Sequence, residues 1–295
     1  MVKFQGVIIS LSLVSLIALA LSCSKESSKW KKPFFFIQMA DTQFGMHSGN
    51  EDFEEETKLY EKAIQQANRL KPAFVVICGD LINLPGDSAQ AAELLRISKM
   101  LDKGIPLHFV AGNHDVGNNP TPESLQWYRK TIGRDIYDFQ RDGCQFTILN
   151  SLFLKSPDSV RDEANRQWSW LTETLKNATE NNYKHSIIFM HHPLFLHDPD
   201  ENDDYFNITK EVRQKYMDLF QKYSVTAIFA GHYHRNSLSK FGSIEMVITG
   251  AVGKSLGEEP SGFRIVYVYS DHIEHEYFGL DDVPDPETIS NRLNK

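Results

Sequence analysis

Short apolar runs alternate with segments of helical periodicity along most of the chain. From Glu54 to Leu70, apolar residues recur every three or four positions, which is typical of an amphipathic helix. The run from Phe34 to Met39 is apolar at nearly every position, which indicates a buried strand. Further strands are predicted at 73–78, 107–111, 136–140, 145–150, 185–190, 225–230, 245–249, 263–269 and 272–277. Further helices are predicted at 88–101, at about 162–179, at 210–223, and from Thr121-Pro122 onward.

The order of these elements predicts the fold class. Because strands and helices alternate, the sequence predicts an α/β fold, and its strand-rich end predicts a second or mixed sheet. There is no internal repeat and no convincing linker after residue 32. This favours a single folded domain over residues 33–282, followed by a C-terminal tail at 283–295.

Residues 1–32 differ in character from the rest of the chain. The apolar run from Val7 to Leu21 is short for a membrane span and is typical of a signal peptide. The sequence ending at Cys23 resembles a bacterial lipobox, so we predict a signal peptide at 1–22 and a polar tether at 23–32. An ordinary cleaved signal or an uncleaved anchor is the alternative. The protein is therefore predicted to be exported to the cell envelope, with a lipid anchor on Cys23 if the lipobox is used.

Composition narrows the functional classes. Of the 295 residues, 41% are hydrophobic, which is enough for a sizeable core. The formal net charge of -8 repels nucleic-acid phosphates, so nucleic-acid binding is not expected as the main function. The cysteine count of 3 excludes a disulfide scaffold and a cysteine-rich zinc module, whereas 11 histidines leave imidazole metal sites open.

Residues able to bind metals follow five of the predicted strands. The clusters are Asp41-Thr42-Gln43, Gly79-Asp80, Gly112-Asn113-His114-Asp115, His191-His192-Pro193 and Gly231-His232-Tyr233-His234. In α/β proteins the carboxyl ends of strands face a common edge, where loops build ligand sites. Each cluster alone is explained by a turn or by a hydrogen-bonded pair. Their occurrence at five strand ends predicts a shared metal site.

The residue types suit a pair of divalent cations. Two neighbouring cations repel each other, so carboxylates must offset their charge and at least one carboxylate must bridge them. Asp80 is the predicted bridge. The first cation is assigned Asp41, His234 and the amide oxygen of Gln43, and the second is assigned Asp80, Asn113, His191 and His232. Mixed oxygen and imidazole ligands favour Mn, Zn or Fe over ions that select thiolates.

The order of these motifs resembles the calcineurin-like metallophosphoesterases. More narrowly, the chain resembles the calcineurin-like phosphoesterase-domain-containing serine/threonine phosphatases over residues 33–282, through segments at 40–45, 78–82, 112–118, 193–196, 203–207 and 231–236. The resemblance implies a four-layer αββα sandwich with two mixed β-sheets and an enzyme that hydrolyses phosphate esters. It implies metal-ligand roles for Asp41, Asp80, Asn113, His191, His232 and His234, whereas His192 does not match a ligand position.

Two positions depart from the pattern of the wider family. Gln43 stands where many relatives have histidine, and its weaker amide ligand predicts looser binding of the first metal or a harder ion. The narrower family also has glutamine there. Asn83 stands where many phosphoprotein phosphatases have an aspartate that orients the catalytic histidine. An amide can form a hydrogen bond but supplies no charge to stabilise a protonated imidazole.

The expected reaction is in-line attack on phosphorus by a hydroxide bound between the two metals. His114 adjoins Asn113 and is the candidate that protonates the leaving oxygen or contacts the phosphate, the alternative being a supporting hydrogen bond. Arg235 is the candidate that binds a phosphoryl oxygen, and a surface salt bridge is its alternative. The acidic stretch 198–204 is interpreted as a solvated loop. Candidates for an aromatic pocket wall, or for the core, are Trp127, Phe195 and Tyr205.

These inferences predict a metal-dependent phosphatase for phosphate monoesters, including phosphoserine and phosphothreonine by resemblance. Because an export signal fits poorly with an intracellular phosphoprotein, nutritional or envelope phosphate esters are an equal alternative. Two further interpretations stay open. One is a phosphodiesterase or pyrophosphatase for nucleotides or lipid-linked phosphates, and the other is a non-catalytic binding protein with a weakened metal site. The expected partner is a phosphorylated substrate.

Overall fold

The computed structural model describes residues 29–294, so the predicted signal peptide and Cys23 lie outside the described residues. The strands are β1 (Phe34–Met39), β2 (Val75–Cys78), β3 (Leu107–Val110), β4 (Tyr137–Arg141), β5 (Cys144–Ile148), β6 (His185–Phe189), β7 (Ala227–Ala230), β8 (Ser237–Phe241), β9 (Ile244–Ile248), β10 (Gly262–Val268) and β11 (Ile273–Gly279). The helices are α1 (Glu54–Leu70), α2 (Ser88–Ser98), α3 (Asn113–Val116), α4 (Pro122–Thr131), α5 (Leu152–Lys155), α6 (Arg161–Glu180), α7 (Lys210–Lys222) and α8 (Pro286–Leu293), with a 3₁₀ turn at Pro157–Val160. Within the described residues, no helix is long and apolar enough to cross a bilayer.

The strands form two mixed sheets. The first sheet has the order β11-β10-β1-β2-β3. Strands β1, β2 and β3 are parallel, β10 pairs antiparallel with β1, and β11 pairs antiparallel with β10. The second sheet has the order β4-β5-β6-β7-β9-β8, in which the four central strands are parallel and the two edge strands are antiparallel. Each sheet therefore contains a block of neighbouring parallel strands whose carboxyl ends point to one edge.

Three apolar clusters show how the layers are stacked. One fills the space between the sheets and includes Phe36 of β1 and Phe146 of β5. Another covers the outer face of the first sheet, where α1 and α2 pack. The third covers the outer face of the second sheet, where α6 and α7 pack. The protein is a four-layer αββα sandwich with two mixed β-sheets, which confirms the predicted fold class.

Besides the short α3, α5 and the 3₁₀ turn, one strand and one longer helix were not predicted from the sequence. Strand β8 is largely polar because it lies at a sheet edge, and Phe241 is its one fully buried position. The segment predicted as a tail contains α8, whose Ile289 packs into the outer cluster of the first sheet. Arg292 of α8 also forms an ion pair with Glu274 of β11 at 2.9 Å. A helix with one buried side chain carries little apolar periodicity, so its sequence pattern is weak.

Replacement of Phe36 by alanine should lower the free energy of unfolding by about 3–5 kcal/mol, because it opens a cavity between the sheets. The Phe36 ring is fully buried, and its centroid lies 4.7 Å from that of Phe74 and 5.6 Å from that of Phe189. Urea denaturation measures the change. Leu238→Ala is the control, because this side chain is 56% exposed on β8 and its loss should matter by less than about 0.5 kcal/mol. Similar losses in both variants would contradict the packing described.

Candidate active site

The predicted ligand clusters converge at one edge of the sandwich. Asp41 and Asp80 each lie two residues beyond a strand of the first sheet, and Asn113 begins α3 after β3. His191 and His232 each lie two residues beyond a strand of the second sheet. The oxygen ligands therefore come from one sheet and the imidazoles from the other, so the site spans the interface between the sheets.

Two groups of side chains lie close enough to hold a metal ion, and both include Asp80. One group is Asp80, His191 and His232, and the other is Asp41, Asp80 and His234. Within each group the ligand atoms lie within 4.8 Å of one another, and all of these residues are buried. These groups correspond to the division of ligands between two cations that the sequence predicts, with Asp80 shared.

Each imidazole turns one ring nitrogen into the cluster because the other donates to a main-chain carbonyl. The Nδ1–H of His191 donates to Cys78 at 2.8 Å, which leaves its Nε2 at 3.2 Å from Asp80 Oδ2. The Nδ1–H of His234 donates to Lys254 at 2.6 Å, which leaves its Nε2 at 3.5 Å from Asp41 Oδ1.

His232 is oriented in the same way, with its two ring nitrogens exchanged. Its Nε2–H donates to the Tyr205 carbonyl at 3.3 Å, and its Nδ1 faces Nε2 of His191 at 3.1 Å. Two ring nitrogens that face each other need a proton or a cation between them. Histidines that ligate metals donate their remaining N–H group in this manner.

The amide residues complete the set of donors. Oδ1 of Asn113 lies 3.1 Å from Nε2 of His191, on the side of the second group. Gln43 donates through Nε2 to Asn83 Oδ1 at 3.0 Å, while its Oε1 is buried without a hydrogen-bond partner among the described residues. A buried acceptor without a partner is costly unless a ligand satisfies it. The donor set fits divalent cations such as Mn, Zn or Fe.

Burial and close contact between charges shift the pKa values of the cluster. Burial raises the pKa of Asp41 to about 6, although His234 and His191 oppose the shift. Burial alone would lower the pKa of His191, but Asp80 and Asp41 outweigh it and raise the value to about 9. Burial and the neighbouring His191 lower the pKa of His232 to about 3. The two carboxylates thus favour positive charge in the space between them.

Five of the candidate ligands have backbone conformations that are unusual for residues other than glycine. The φ angles are 52° at Asp41, 37° at Gln43, 46° at Asp80, 70° at His232 and 53° at His234. Such conformations cost about 1–3 kcal/mol each and occur mainly at functional sites. Hydrogen bonds of the loops to the ligands hold them in place. The N–H of His232 donates to both oxygens of Asp41 at 3.1 Å, and the N–H of His114 donates to Asp80 Oδ1 at 2.9 Å.

Gly112 leaves room for Asp80, and replacing it with alanine should disrupt the site. A Cβ atom at this position would lie 2.2 Å from both the main-chain nitrogen and Oδ1 of Asp80, so the bridging carboxylate would have to move. We expect turnover and bound metal to fall by at least about tenfold, the scale seen when ligand-supporting contacts are lost. Gly104→Ala is the matched control, because a Cβ there meets no atom within 4 Å. Metal analysis of both variants decides the prediction, and full metal content in Gly112→Ala would contradict it.

Removal of the cations should destabilise the fold, because their ligands come from both sheets. A ligand present at a thousandfold excess over its Kd contributes about 4 kcal/mol to the free energy of unfolding. We therefore expect a chelator to lower Tm by several degrees and re-addition of metal to restore it. Equal Tm values with and without metal would argue against binding at this site.

His114 lies beside the two ligand groups. Its Nδ1–H donates to the main-chain carbonyl of Asn83 at 2.8 Å, which leaves Nε2 available for a substrate. The side chain is half-buried. The Asn83 side chain, at the position where many relatives have an orienting aspartate, makes its hydrogen bonds elsewhere. Its Oδ1 accepts from Gln43, and its Nδ2 donates to Asn50 at 2.8 Å.

Asp115 is a structural residue of the site that the sequence did not distinguish from a turn former. Its Oδ1 accepts from the main-chain N–H groups of Leu81 and Ile82 at 2.9 and 3.1 Å, and its Oδ2 accepts from Gly112 at 2.7 Å. These bonds tie the loop after β2 to the loop after β3. Asp115 therefore fixes the position of Asp80 relative to Asn113.

Among the three aromatic candidates for a pocket wall, Tyr205 borders the site. Its hydroxyl lies 3.3 Å from Asn113 Nδ2, and its ring centroid lies 5.0 Å from that of His232. The core alternative applies to the other two, because Phe195 is fully buried in the second outer cluster and Trp127 packs against the first. Lys155 was not predicted. It binds the main-chain carbonyl of Asp204 at 2.7 Å and so holds the Tyr205 loop.

Arg235 follows His234 directly but belongs to neither ligand group. Its guanidinium lies over the ring of Tyr233, 4.9 Å from the centroid. It also lines a cavity of about 490 Å³ together with His197, Asn236, Gly257, Glu258 and Glu259. A larger cavity of about 820 Å³ lies near the β10–β11 turn and α8 and contains none of the candidate ligands. Position therefore favours the cavity at Arg235 as a neighbour of the chemical site.

Comparison with known proteins agrees with this geometry. Residues 36–236 match the Calcineurin-like phosphoesterase family. The chain belongs to this family. Family membership and the two ligand groups make the protein a metal-dependent phosphoesterase that uses two divalent cations. Phosphatases among its relatives further identify it as a phosphatase.

Relatives and solved structures place this phosphoesterase more narrowly. It is 40% identical over 276 residues to the Serine/threonine-protein phosphatase CPPED1 of Homo sapiens, a match that covers 88% of each chain. It is 41% identical over 277 residues to CPPED1 of Bos taurus, again over 88% of each chain. A dimetal phosphatase from Danio rerio shares the fold, with a TM-score of 0.62 and 18% identity over 84% of this chain and 96% of that one. The purple acid phosphatase PPD1 from Lupinus luteus also shares it, with a TM-score of 0.67 and 14% identity over 88% and 54% of the two chains.

Proposed function

We propose that this protein hydrolyses phosphate monoesters, with phosphoserine and phosphothreonine residues among its substrates. One observation carries the proposal: three imidazoles and two carboxylates form two ligand groups that share Asp80, with His114 beside them. The relatives named as serine/threonine-protein phosphatases support the class of substrate.

The residues of the site have two kinds of role in the proposed reaction, as metal ligands and as a proton donor. We assign one cation to Asp41, Gln43, Asp80 and His234, and the other to Asp80, Asn113, His191 and His232. When bound, such cations activate water at neutral pH and offset charge on phosphoryl oxygens. His114 donates a proton from Nε2 to the oxygen of the leaving alcohol as the P–O bond breaks. The Asn83 carbonyl accepts the Nδ1–H of His114 and so fixes the orientation of the ring.

Arg235 is assigned a contact with the substrate. Its position one residue beyond His234, in a cavity of about 490 Å³, lets it contact a group attached to the phosphate rather than the metals. Stacking on Tyr233 holds the guanidinium plane and leaves its N–H groups for hydrogen bonds.

A panel of substrates tests the proposal. Protein loaded with Mn, Zn or Fe is assayed on an aryl phosphate, a phosphoserine peptide, a bis-aryl phosphate and a nucleoside diphosphate. We expect kcat/KM for the two monoesters to exceed that for the diester and the diphosphate by at least about a hundredfold, since the leaving group and charge must match the site. Faster hydrolysis of the diester or diphosphate would replace the proposal with the alternative enzymes. No hydrolysis by fully loaded protein would favour a binding protein.

We also propose that the protein is exported and attached to a membrane of the cell envelope through a lipid on Cys23. The apolar run before this residue and the polar segment after it support the proposal. In a bacterial host fed labelled palmitate, the full chain should carry the label and Cys23→Ser should not. Cys144→Ser is the control and should remain labelled. An unlabelled wild-type chain would overturn the lipid anchor.

A further inference from the structure

Exposed apolar side chains are concentrated around the active site. Among residues 29–294, the large apolar side chains that are exposed are Leu84, Met100, Tyr205, Leu238 and Leu256. Leu84, Tyr205 and Leu256 are 46%, 51% and 41% exposed, and they lie on three different loops of the site. We call these three residues the apolar rim. Isolated exposed apolar residues are normal, but a group around one site marks a binding surface.

Two rim residues form a hydrogen bond to a proposed metal ligand, and the third follows a residue that is hydrogen-bonded to His114. Leu84 follows Asn83, whose carbonyl accepts the Nδ1–H of His114 at 2.8 Å. The Tyr205 hydroxyl lies 3.3 Å from Nδ2 of Asn113. The N–H of Leu256 donates to the carbonyl of His234 at 3.2 Å. All three rim residues therefore stand on loops that also carry or support the proposed metal ligands and His114.

Acidic groups stand next to the apolar rim. Asp203 and Asp204 precede Tyr205 and are exposed. Glu258 and Glu259 follow Leu256 by two and three residues and line the cavity that contains Arg235. The whole chain carries a formal charge of -8. Arg235 lines the same cavity and Lys155 binds the Asp204 carbonyl, so these two cations offset part of the charge of the four acidic residues. The surroundings of the phosphate site thus combine apolar surface with an excess of negative charge, which repels polyanions and anionic bilayers.

We propose that the apolar rim binds the polypeptide on both sides of a phosphorylated serine or threonine, with preference for apolar and basic flanking residues. This inference rests on the proposed phosphomonoesterase function and defines its substrate class. A small ionic ester has no apolar group to bury at the rim. A nucleotide, or a lipid phosphate in an anionic membrane, brings further negative charge towards the four acidic residues. A peptide with leucine and lysine beside the phosphoresidue complements both the apolar and the acidic groups.

Kinetics on matched peptides test the inference. The metal-loaded full chain is assayed on three phosphoserine peptides, whose flanking residues are leucine and lysine, glycine, or glutamate, and on an aryl phosphate. We expect kcat/KM to be at least about tenfold higher for the leucine–lysine peptide than for the glycine peptide, and lowest for the glutamate peptide. The double variant Leu84→Ser/Leu256→Ser should remove about tenfold of this preference. It should change the aryl phosphate less than about twofold, because both substitutions keep the main-chain hydrogen bonds.

Met100→Ser is the matched control, because Met100 is 40% exposed just beyond α2 and is not part of the rim. It should leave all four rates unchanged. Equal rates on the three peptides would overturn the inference, and so would an equal loss on peptide and aryl phosphate in the double variant. In either case, hydrolysis of the aryl phosphate would still support the proposed function. Faster cleavage of a polyprenyl phosphate in anionic vesicles than of any peptide would also overturn it. Absence of all monoester hydrolysis would instead remove the proposed function itself.

Discussion

Asp80→Asn is expected to lower turnover on a phosphate monoester by about a thousandfold or more, because this carboxylate is shared by both ligand groups. Asparagine keeps the shape of the side chain but removes the charge that offsets the repulsion between two cations. The N–H of His114 also donates to Asp80 Oδ1 at 2.9 Å, so the same substitution weakens the contact that holds His114 beside the metals. Turnover and metal content, measured on one preparation, check the prediction.

Asp135→Asn is a matched control for this variant. Asp135 is also buried, at 4% exposure, and it pairs with Arg129 at 2.8 Å, but it belongs to neither ligand group. Its substitution should lower stability and leave metal content and most of the turnover intact. If Asp80→Asn kept two bound cations and wild-type turnover, the role of Asp80 as a shared ligand would be wrong.

The elements that the sequence predicts best are those whose residue pattern has one clear physical origin, such as helical burial or a tight turn. Both ends of α1 are predicted correctly, because its buried positions recur at helical spacing. The helix is capped at its C-terminus by Lys71, which has a φ of 57° and precedes Pro72. The hairpin of β4 and β5 follows from Asp142 and Gly143, whose φ angles of 47° and 84° suit a tight two-residue turn. Elements held by few buried side chains, such as β8 and α8, leave no comparable pattern.

The clustering of the candidate ligands could be predicted because each candidate follows a strand, and parallel strands bring their ends to one edge. Two groups were expected because His232 and His234 stand two residues apart, and each histidine belongs to a different group in the structure, although the loop is not extended there. The structure adds the hydrogen bonds between different loops, which a local sequence pattern does not predict. Asp115 links two loops through three main-chain N–H groups, and the Asn83 main chain, rather than its side chain, orients His114.

The positive φ angles at the ligands show why local sequence preferences fail at this site. Asp41, Asp80 and His232 adopt a conformation that residues with a Cβ rarely take, and local propensity alone would place glycine there. The surrounding contacts impose it, because the carboxylates and imidazoles must turn inward immediately after the strands. Backbone strain here accompanies function, as in many active sites. The sequence therefore predicts which candidate residues cluster, whereas the strained loops that orient them are visible only in the structure.

His114→Gln is expected to lower kcat by about 10²–10⁴-fold while both cations remain bound, since His114 belongs to neither ligand group. His185→Gln is the matched control. His185 begins β6, at the opposite end of the strand from His191, and its Nε2 likewise bonds a main-chain carbonyl, that of Tyr269, at 2.7 Å. The control should keep turnover within about twofold of wild type, as expected for a residue remote from the reacting atoms.

The loss of activity in His114→Gln on substrates with good and poor leaving groups distinguishes proton donation from phosphate binding by His114. A serine alkoxide is a poor leaving group and needs a proton as the P–O bond breaks, whereas a nitrophenolate leaves readily without one. If Nε2 of His114 supplies that proton, His114→Gln should impair a phosphoserine peptide much more than nitrophenyl phosphate. If His114 only binds a phosphoryl oxygen, both substrates should lose the same factor. Its hydrogen bond to Asn83 favours the first outcome, because it fixes the ring through Nδ1 and leaves Nε2 to face the leaving oxygen.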